Sequence, residues 1–185
     1  EGQAAAEALA DGVEDSILAD DLLVISLFDG IWGLRRALDL LRLRPALTLA
    51  SETNAEARRV VTYAWPDVYE LGPVEEITRE KISSILAKKG NFTKVLVGGG
   101  SPCTDLTSLN IGAAGLQGPE SILFYEFLRV GRLVCQLLPD AEVSLFLENV
   151  ASMKPVYRDI MSKELGVPAW QLCASDLSDV RRKRY

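Results

Sequence analysis

Residues 22–28 (LLVISLF), followed at once by residues 29–33 (DGIWG), decide the fold of this chain. A continuous apolar run of this length predicts a strand that is buried on both faces, as in a parallel sheet. Glycines directly after such a strand predict a tight turn in which the backbone approaches a ligand closely. Leu34, Leu38 and Leu41 then recur at helical spacing, so the unit is a strand, a glycine turn and a helix.

Strands and helices alternate along the rest of the chain. We predict further strands at 46–50, 94–97, 143–147 and 171–174, and helices at 54–63, 74–89, 122–138 and 155–165. This alternation predicts an α/β fold with a doubly wound, mostly parallel sheet. Residues 21–185 form its single domain, and residues 1–20 form an acidic segment that is either loosely helical or flexible.

The composition excludes several classes of function. The chain has 185 residues, 48% of them hydrophobic, which is enough for one globular domain with a core. It has no histidine and three widely separated cysteines, so we expect no metal site and no Ser-His-Asp or Cys-His catalysis. No apolar run approaches the roughly 20 residues that span a bilayer, and we expect a soluble intracellular protein without a membrane partner.

Candidate functional residues stand where strands end, because ligands of parallel sheets lie beyond the carboxyl ends of the strands. Glu52 follows the second strand, where a carboxylate can accept ribose hydroxyls; an exposed Glu before a helix is the alternative. Glu148 follows a later strand, where a buried carboxylate needs a charged partner or a raised pKa. An ordinary Glu that leads into a helix is the alternative there.

Cys103 lies in a glycine-rich stretch, 98–121, that is too long for an idle connection. We expect its thiol to be exposed, in contrast to Cys135 and Cys173, which stand in apolar surroundings. The alternative is a small buried hydrophobe. The net charge is −6, and the one concentrated basic run, 181–184 (RRKR), is either a solvated tail or part of a site.

Four short motifs, in this order, resemble those of one enzyme family. Phe28-Asp29-Gly30, Gly100-Ser101-Pro102-Cys103, Glu148-Asn149-Val150 and Arg182-Lys183-Arg184 are similar to the first, fourth, sixth and eighth motifs of the DNA cytosine-5 methyltransferases. Residues 99–107 (GGSPCTDLT) and 115–129 (GLQGPESILFYEFLR) look most like the eukaryotic de novo type. The resemblance covers roughly residues 22–185 and implies a Rossmann-like, S-adenosylmethionine-dependent methyltransferase fold.

The resemblance also implies catalytic roles. Cys103 would be the thiol that adds to carbon 6 of a cytosine flipped out of DNA. Glu148 would hold ring nitrogen 3, where negative charge builds up. Arg184, with Arg182 beside it, would contact the cytosine carbonyl oxygen and hold Glu148.

S-adenosylmethionine is the implied cofactor, with S-adenosylhomocysteine as the product. Phe28 would pack on the adenine, Glu52 would take the ribose hydroxyls, and Thr53 would lie against the base. The other implied cofactor-binding residues are Asp29, Gly30, Ile31, Gly33, Ser101, Pro102 and Leu116.

Two departures from the family pattern bear on activity. Pro73 stands where the family has an acidic residue that contacts the adenine amine, so either cofactor affinity is reduced or Glu70 substitutes by a shift in register. The family also continues into a target-recognition region that these residues lack. We therefore expect a truncated catalytic core with little activity of its own.

Partners and location follow from the same resemblance. DNA is the expected partner, and the location is nuclear in a eukaryote and otherwise cytoplasmic. A homo- or hetero-oligomer with another methyltransferase-like subunit is open, since Phe124, Tyr125 and Phe127 on one helix are either a partner surface or core. Two other functions also stay open: a non-catalytic partner-binding or regulatory module, and methylation of RNA.

Overall fold

A five-stranded parallel sheet is the centre of the molecule in a computed structural model that describes residues 17–102, 122–176 and 182–185. Its strands lie in the order β3-β2-β1-β4-β5. Their bounds are β1 (Ile17–Leu27), β2 (Leu43–Ser51), β3 (Tyr69–Glu70), β4 (Lys94–Gly99) and β5 (Glu142–Leu147). The strand order reverses between β1 and β4, so the predicted doubly wound α/β fold is confirmed.

Five described helices connect and follow these strands. They are α1 (Gly33–Leu40), α2 (Ala55–Ala64), α3 (Arg79–Lys89), α4 (Leu123–Leu137) and α5 (Pro155–Leu165). Two short strands, β6 (Leu172–Cys173) and β7 (Lys183–Arg184), pair with each other in antiparallel fashion. Among these described helices, none is both long and apolar enough to cross a membrane.

The two faces of the sheet carry different helices. Ile25, Leu49 and Val97 are neighbours across β1, β2 and β4, and they lie in the main core cluster with Ile82 of α3 and Phe127 of α4. The next residues along, Ser26, Ala50 and Gly98, face the opposite side because side chains alternate along a strand. There Ala50 packs with Trp32 and with Val61 of α2.

Local sequence signals account for several element ends. The side chain of Asn54 caps α2 by accepting hydrogen bonds from the backbone N–H groups of Glu56 and Ala57, both at 3.0 Å. Helix α5 has the predicted bounds, with Pro155 at its first turn and Gly166 in the left-handed conformation at its end. The other predicted elements are also present, with bounds that differ by a few residues.

Two expectations about the elements were wrong. Strand β1 begins at Ile17, so it includes the last four residues of the acidic segment. The predicted helix 74–89 is two elements, a 3-10 turn (Val74–Glu76) and α3, because Ile77 turns its fully buried side chain into the core and Thr78 caps a new helix. For Phe124 and Phe127, the alternative of core packing is correct, because neither side chain has any exposed surface.

Candidate active site

The turn after β1 brings four predicted cofactor residues, Phe28, Asp29, Gly30 and Ile31, to the carboxyl edge of the sheet. Phe28, Gly30 and Trp32 all have a positive φ, of 55°, 53° and 67°, and the backbone N–H of Trp32 closes the turn on the carbonyl of Asp29 at 2.9 Å. Such left-handed residues are costly outside glycine and tend to persist where a site requires them. Ile31 projects from this turn and is 68% exposed.

Glu52 fixes this turn from the end of β2. Its Oε2 accepts the backbone N–H of Gly30 at 2.7 Å, and its Oε1 accepts those of Thr53 and Asn54 at 2.8 and 2.7 Å. An ionised carboxylate offers about four acceptor positions. Three are therefore in use, and Glu52 can add one ribose hydroxyl without losing a backbone contact.

Asp29 is the most perturbed acid in the described part of the chain. Burial, with a smaller contribution from the charge of Glu52, raises the pKa of Asp29 from 3.8 to about 7, although a hydrogen bond from Ser26 acts in the opposite direction. Its Oδ2 is buried and has no hydrogen-bond partner among the described residues. A perturbed, incompletely satisfied carboxyl at a strand end is typical of a binding site.

An ion pair lies on the β3 side of the same site. Arg58 of α2 donates to Glu70 through Nε at 3.0 Å, and Thr62 donates to the other carboxylate oxygen at 3.2 Å. The hydrogen bonds from Arg58 hold the pKa of Glu70 below its ordinary value. Pro73 follows in the turn after β3, where Gly72 accepts a hydrogen bond from Ser51 through its carbonyl at 2.7 Å.

These residues enclose little space. A cavity of about 10 Å³ is lined by Asp29, Ala50, Glu52, Arg58, Val61 and Glu70. That is room for about one water molecule. An open groove of about 540 Å³ shares Arg58 and Glu70 with it and extends along α2 past Tyr63. The cavity is thus too small for a nucleoside, whereas the neighbouring groove is large enough for one.

Glu148 stands at the second half of the site, beyond β5. Its backbone N–H donates to the carbonyl of Gly99 at 2.9 Å, and a Cβ on Gly100 would lie 2.9 Å from its Oε2. Its Oε1 lies 2.5 Å from Nε of Arg184, and the two side chains are 41% and 30% exposed. The carboxylate that we expected to need a charged partner therefore has one, although it is not deeply buried.

Backbone pairing brings Arg184 to this position. Asn149 and Tyr185 exchange two backbone hydrogen bonds, at 3.0 and 2.9 Å, and Val150 forms a β-bridge with Arg184. Arg184 and Tyr185 are therefore joined to the residues that follow β5, and at Arg184 the solvated-tail interpretation is wrong. Arg182 is exposed, and its carbonyl accepts the backbone N–H of Ala174 at 2.9 Å.

Asn149 holds the stretch that leads to Cys103. It is 4% exposed, and its Nδ2 donates to Oγ of Ser101, also 4% exposed, at 3.1 Å. Sequence reasoning quoted Asn149 within a motif but gave it no role. The available signal was a polar residue directly after an apolar strand, since such a residue needs a buried partner. Cys103 and Leu116 themselves lie outside the described residues.

The other two cysteines differ from expectation. Cys135 is exposed, because it faces away from the core side of α4, and Cys173 is half-buried in β6. A hydrogen bond from Ser175 lowers the pKa of Cys173, so this thiol needs its own control in an experiment that assigns chemistry to a cysteine. Among the described residues there is no group of three or more Cys, Asp or Glu side chains that could hold a metal ion.

Comparison with known proteins identifies relatives of this chain. It is 31% identical over 118 residues to DNA (cytosine-5)-methyltransferase DRM2 of Arabidopsis thaliana, which covers 60% of this chain and 18% of that protein. It is 34% identical over 114 residues to the DRM2 enzyme of Oryza sativa subsp. japonica, covering 58% of this chain and 19% of that protein. The chain is thus similar in sequence to DNA cytosine-5 methyltransferases. The family resemblance of its motifs is thereby confirmed.

Solved structures agree on the fold. Dnmt2 methyltransferase of S. pombe superposes with a TM-score of 0.52 at 18% identity, over 88% of this chain and 47% of that one. Entamoeba histolytica methyltransferase EhMeth gives 0.61 at 18% identity, over 89% and 51%. No protein-family model matches the chain. The chain spans about a fifth of the length of the curated relatives it matches and about half of these solved chains.

Proposed function

We propose that this chain is part of the catalytic core of an enzyme that transfers a methyl group from S-adenosylmethionine to carbon 5 of cytosine in DNA. The observation that carries the proposal is the Glu148–Arg184 pair, packed against Gly100 at the start of the stretch that leads to Cys103. The sequence relatives support it, since they are named as DNA cytosine-5 methyltransferases. In a eukaryotic cell such an enzyme acts in the nucleus.

The residues of the β1–β2 edge fit the cofactor. Glu52 has one acceptor position left for a ribose hydroxyl, and the unpartnered Oδ2 of Asp29 suits the ammonium group of an amino acid. Glu70 lines the small cavity together with Asp29 and Glu52. Its carboxylate would substitute for the acidic residue that the family has at the position of Pro73. S-adenosylmethionine supplies, when bound, a methyl group on a positively charged sulfur.

The chain's own groups act on the cytosine. The Cys103 thiolate adds to carbon 6, and Glu148 holds nitrogen 3 while charge builds there. Arg184 donates to the cytosine carbonyl oxygen and keeps Glu148 in place. Carbon 5 would then take the methyl group from the cofactor, which leaves as S-adenosylhomocysteine. Loss of the carbon 5 proton to solvent would let the bond from carbon 6 to Cys103 break, so that the thiolate leaves and 5-methylcytosine is released. Because the ring must reach Cys103, the base leaves the duplex first.

Trapping tests this proposal. The chain is incubated with S-adenosylmethionine and DNA that contains 5-fluorocytosine, from which the proton that normally leaves is absent. We expect a covalent protein–DNA adduct, from this chain or from a longer polypeptide that contains it. The adduct is lost in Cys103→Ser but retained in Cys135→Ser and in Cys173→Ser, which control for the other thiols.

The failures of this test have distinct meanings. An adduct that is lost in Cys173→Ser and retained in Cys103→Ser would assign the reaction to Cys173 and overturn the role of Cys103. The same incubation with RNA that contains 5-fluorocytosine tests the substrate. An adduct on RNA and not on DNA would overturn the proposal that the substrate is DNA. No adduct, either from this chain or from a longer polypeptide that contains it, would favour the non-catalytic partner-binding module.

A further inference from the structure

The amino edge of the sheet exposes four large aliphatic side chains to water. Residues 17–19 of β1 pair with β2 and extend beyond β4, whose pairing with β1 begins at Leu22. The turn from α1 into β2 lies beside this extension, because the backbone N–H of Ile17 donates to the carbonyl of Arg42 at 2.7 Å. The exposed side chains belong to this extension and to the end of α1, and they are Ile17, Leu18, Leu40 and Leu41, at 64%, 64%, 69% and 66% exposure.

Positive charge lies beside these side chains. Arg36 is one helical turn before Leu40 on α1, and Arg44 pairs with Leu18 across β1 and β2. Both arginines are exposed, and neither has an ion-pair partner among the residues that the structure describes. Asp20 is the one exposed acid within residues 17–20 and 36–44. We call the four aliphatic residues and these two arginines the amino-edge patch; it is basic, although the whole chain carries a net charge of −6.

The chemistry of the amino-edge patch restricts what can cover it. A contiguous group of exposed aliphatic side chains with a polar rim is typical of an interaction site. A second copy of the chain is a poor occupant, because a two-fold contact sets the same surface against itself and would bring arginines against arginines. An acidic segment that also carries apolar side chains complements both the charge and the aliphatic surface.

Residues 1–16 have this chemistry and run directly into Ile17 of the patch. They lie outside the described part of the chain. Glu14 and Asp15 are separated from Ile17 by no more than about 10 Å of chain, because an extended residue spans about 3.3–3.6 Å. A short tether of this kind gives a segment a millimolar effective concentration at a neighbouring surface. The segment has no basic residue, and its acids are Glu1, Glu7, Asp11, Glu14 and Asp15.

We infer that residues 1–16 dock on the amino-edge patch of the same chain. Their carboxylates lie against Arg36 and Arg44, and Leu9 and Val13 cover part of the exposed aliphatic surface. The patch is at the opposite edge of the sheet from the candidate active site, since all five strands are parallel and their carboxyl ends meet at the other edge. The inference is therefore independent of the proposed function.

Limited proteolysis of the full chain tests the docking. A glutamyl endopeptidase cuts after Glu7 and Glu14 when the segment is accessible, and mass spectrometry measures the rate of each cut. Arg36→Gln combined with Arg44→Gln removes the charge of the patch without adding a new cutting site. Both side chains are exposed, so the fold should tolerate this pair of substitutions.

A matched control separates the patch from net charge. Arg59→Gln combined with Arg132→Gln makes the same change of charge at two exposed arginines outside the patch. We expect the patch variant to be cut about fivefold faster than wild type, because cutting follows the undocked fraction of the segment and exposed ion pairs are lost. The control variant should be cut at the wild-type rate. Equal rates for wild type and the patch variant, or equal acceleration in both variants, would overturn the inference.

Salt and protein concentration give a second measurement, which needs no folded variant. About 1 M salt shortens the Debye length to about 3 Å and weakens exposed charge pairs. We expect it to speed the cutting of wild type after Glu7 and Glu14 relative to a short synthetic peptide with the sequence of residues 1–16. The rate should not depend on the concentration of the chain. An identical salt response of chain and peptide would contradict docking, and slower cutting at higher chain concentration would assign the protection to a second copy and overturn the inference.

Discussion

Nε of Arg184 lies 2.5 Å from Oε1 of Glu148, and backbone pairing of Tyr185 with Asn149 holds the two residues together. The carboxylate lies in turn against Gly100. Residues from two distant parts of the chain thus meet beside the stretch that leads to Cys103. Because both side chains are about one-third exposed, the ion pair contributes little to the free energy of folding. Its expected role is to position the carboxylate and the guanidinium beside the substrate.

Arg184→Ala should therefore separate activity from stability. We expect the rate of adduct formation on 5-fluorocytosine DNA to fall about a hundredfold, the usual loss when one donor to a developing charge is removed. The free energy of unfolding should fall by less than about 1 kcal/mol. Lys183→Ala, which removes the adjacent exposed cation, is the control. Equal effects of the two substitutions on the adduct rate would show that Arg184 contributes only positive charge near the DNA, without a specific contact.

Gly99 should be the less replaceable of two neighbouring glycines in β4. A Cβ on Gly99 would overlap the backbone carbonyl oxygen of Leu27, whereas one on Gly98 would lie 2.5 Å from a terminal methyl of Leu34. A methyl can move and a paired strand cannot. We expect Gly99→Ala to lower the free energy of unfolding in urea by about 1–3 kcal/mol, and Gly98→Ala by less. A larger loss for Gly98→Ala than for Gly99→Ala would contradict this prediction, because it would mean that Leu34 of α1 yields less readily than the backbone of β1.

The sheet and the turn after β1 could be predicted from sequence because each depends on local signals. Burial of residues 23–27, the Asn54 cap and the Pro155 start are all features of single segments. The break at Ile77 could not be predicted, because the helical pattern continues through it and the opposing contacts come from Arg129 in α4. For the same reason Phe124 and Phe127 could not be assigned to the core before their neighbours were known.

The candidate site divides in the same way. The types of Asp29, Glu52, Glu148 and Arg184 follow from motifs, but their contacts do not. That Glu52 uses three acceptor positions on backbone N–H groups depends on the geometry of two strand ends. The indole N–H of Trp32 is buried and has no hydrogen-bond partner among the described residues. This could not be predicted from sequence, because an aromatic residue in an apolar stretch ordinarily belongs to the core.

Arg129 should hold the turn after β3 in its non-helical form. Its guanidinium donates to the carbonyls of Val74 and Ile77 at 2.8 and 2.7 Å, the groups that a continuous helix would use itself. Arg129→Ala is expected to lower the free energy of unfolding by about 1–3 kcal/mol, because those carbonyls lose a charged donor. Arg132→Ala, on the same helix with an exposed partner in Glu164, should cost less than about 1 kcal/mol. Urea denaturation measures both, and similar losses would contradict a specific clamp.

Asp29 should make stability depend on pH. Burial raises its pKa from 3.8 to about 7, so between these values the folded chain keeps a proton that the unfolded chain releases. Stability from this group is therefore full below about pH 4 and is lost as pH rises toward 7, at up to about 1.4 kcal/mol per pH unit. Asp29→Asn should remove that slope and be more stable than wild type at pH 8. Urea denaturation from pH 4.5 to 8 measures this, with Asp20→Asn as the control for loss of a carboxylate. Wild-type and Asp29→Asn profiles that run parallel would show that Asp29 is ionised throughout, and the turn would then hold a buried charge before any ligand binds.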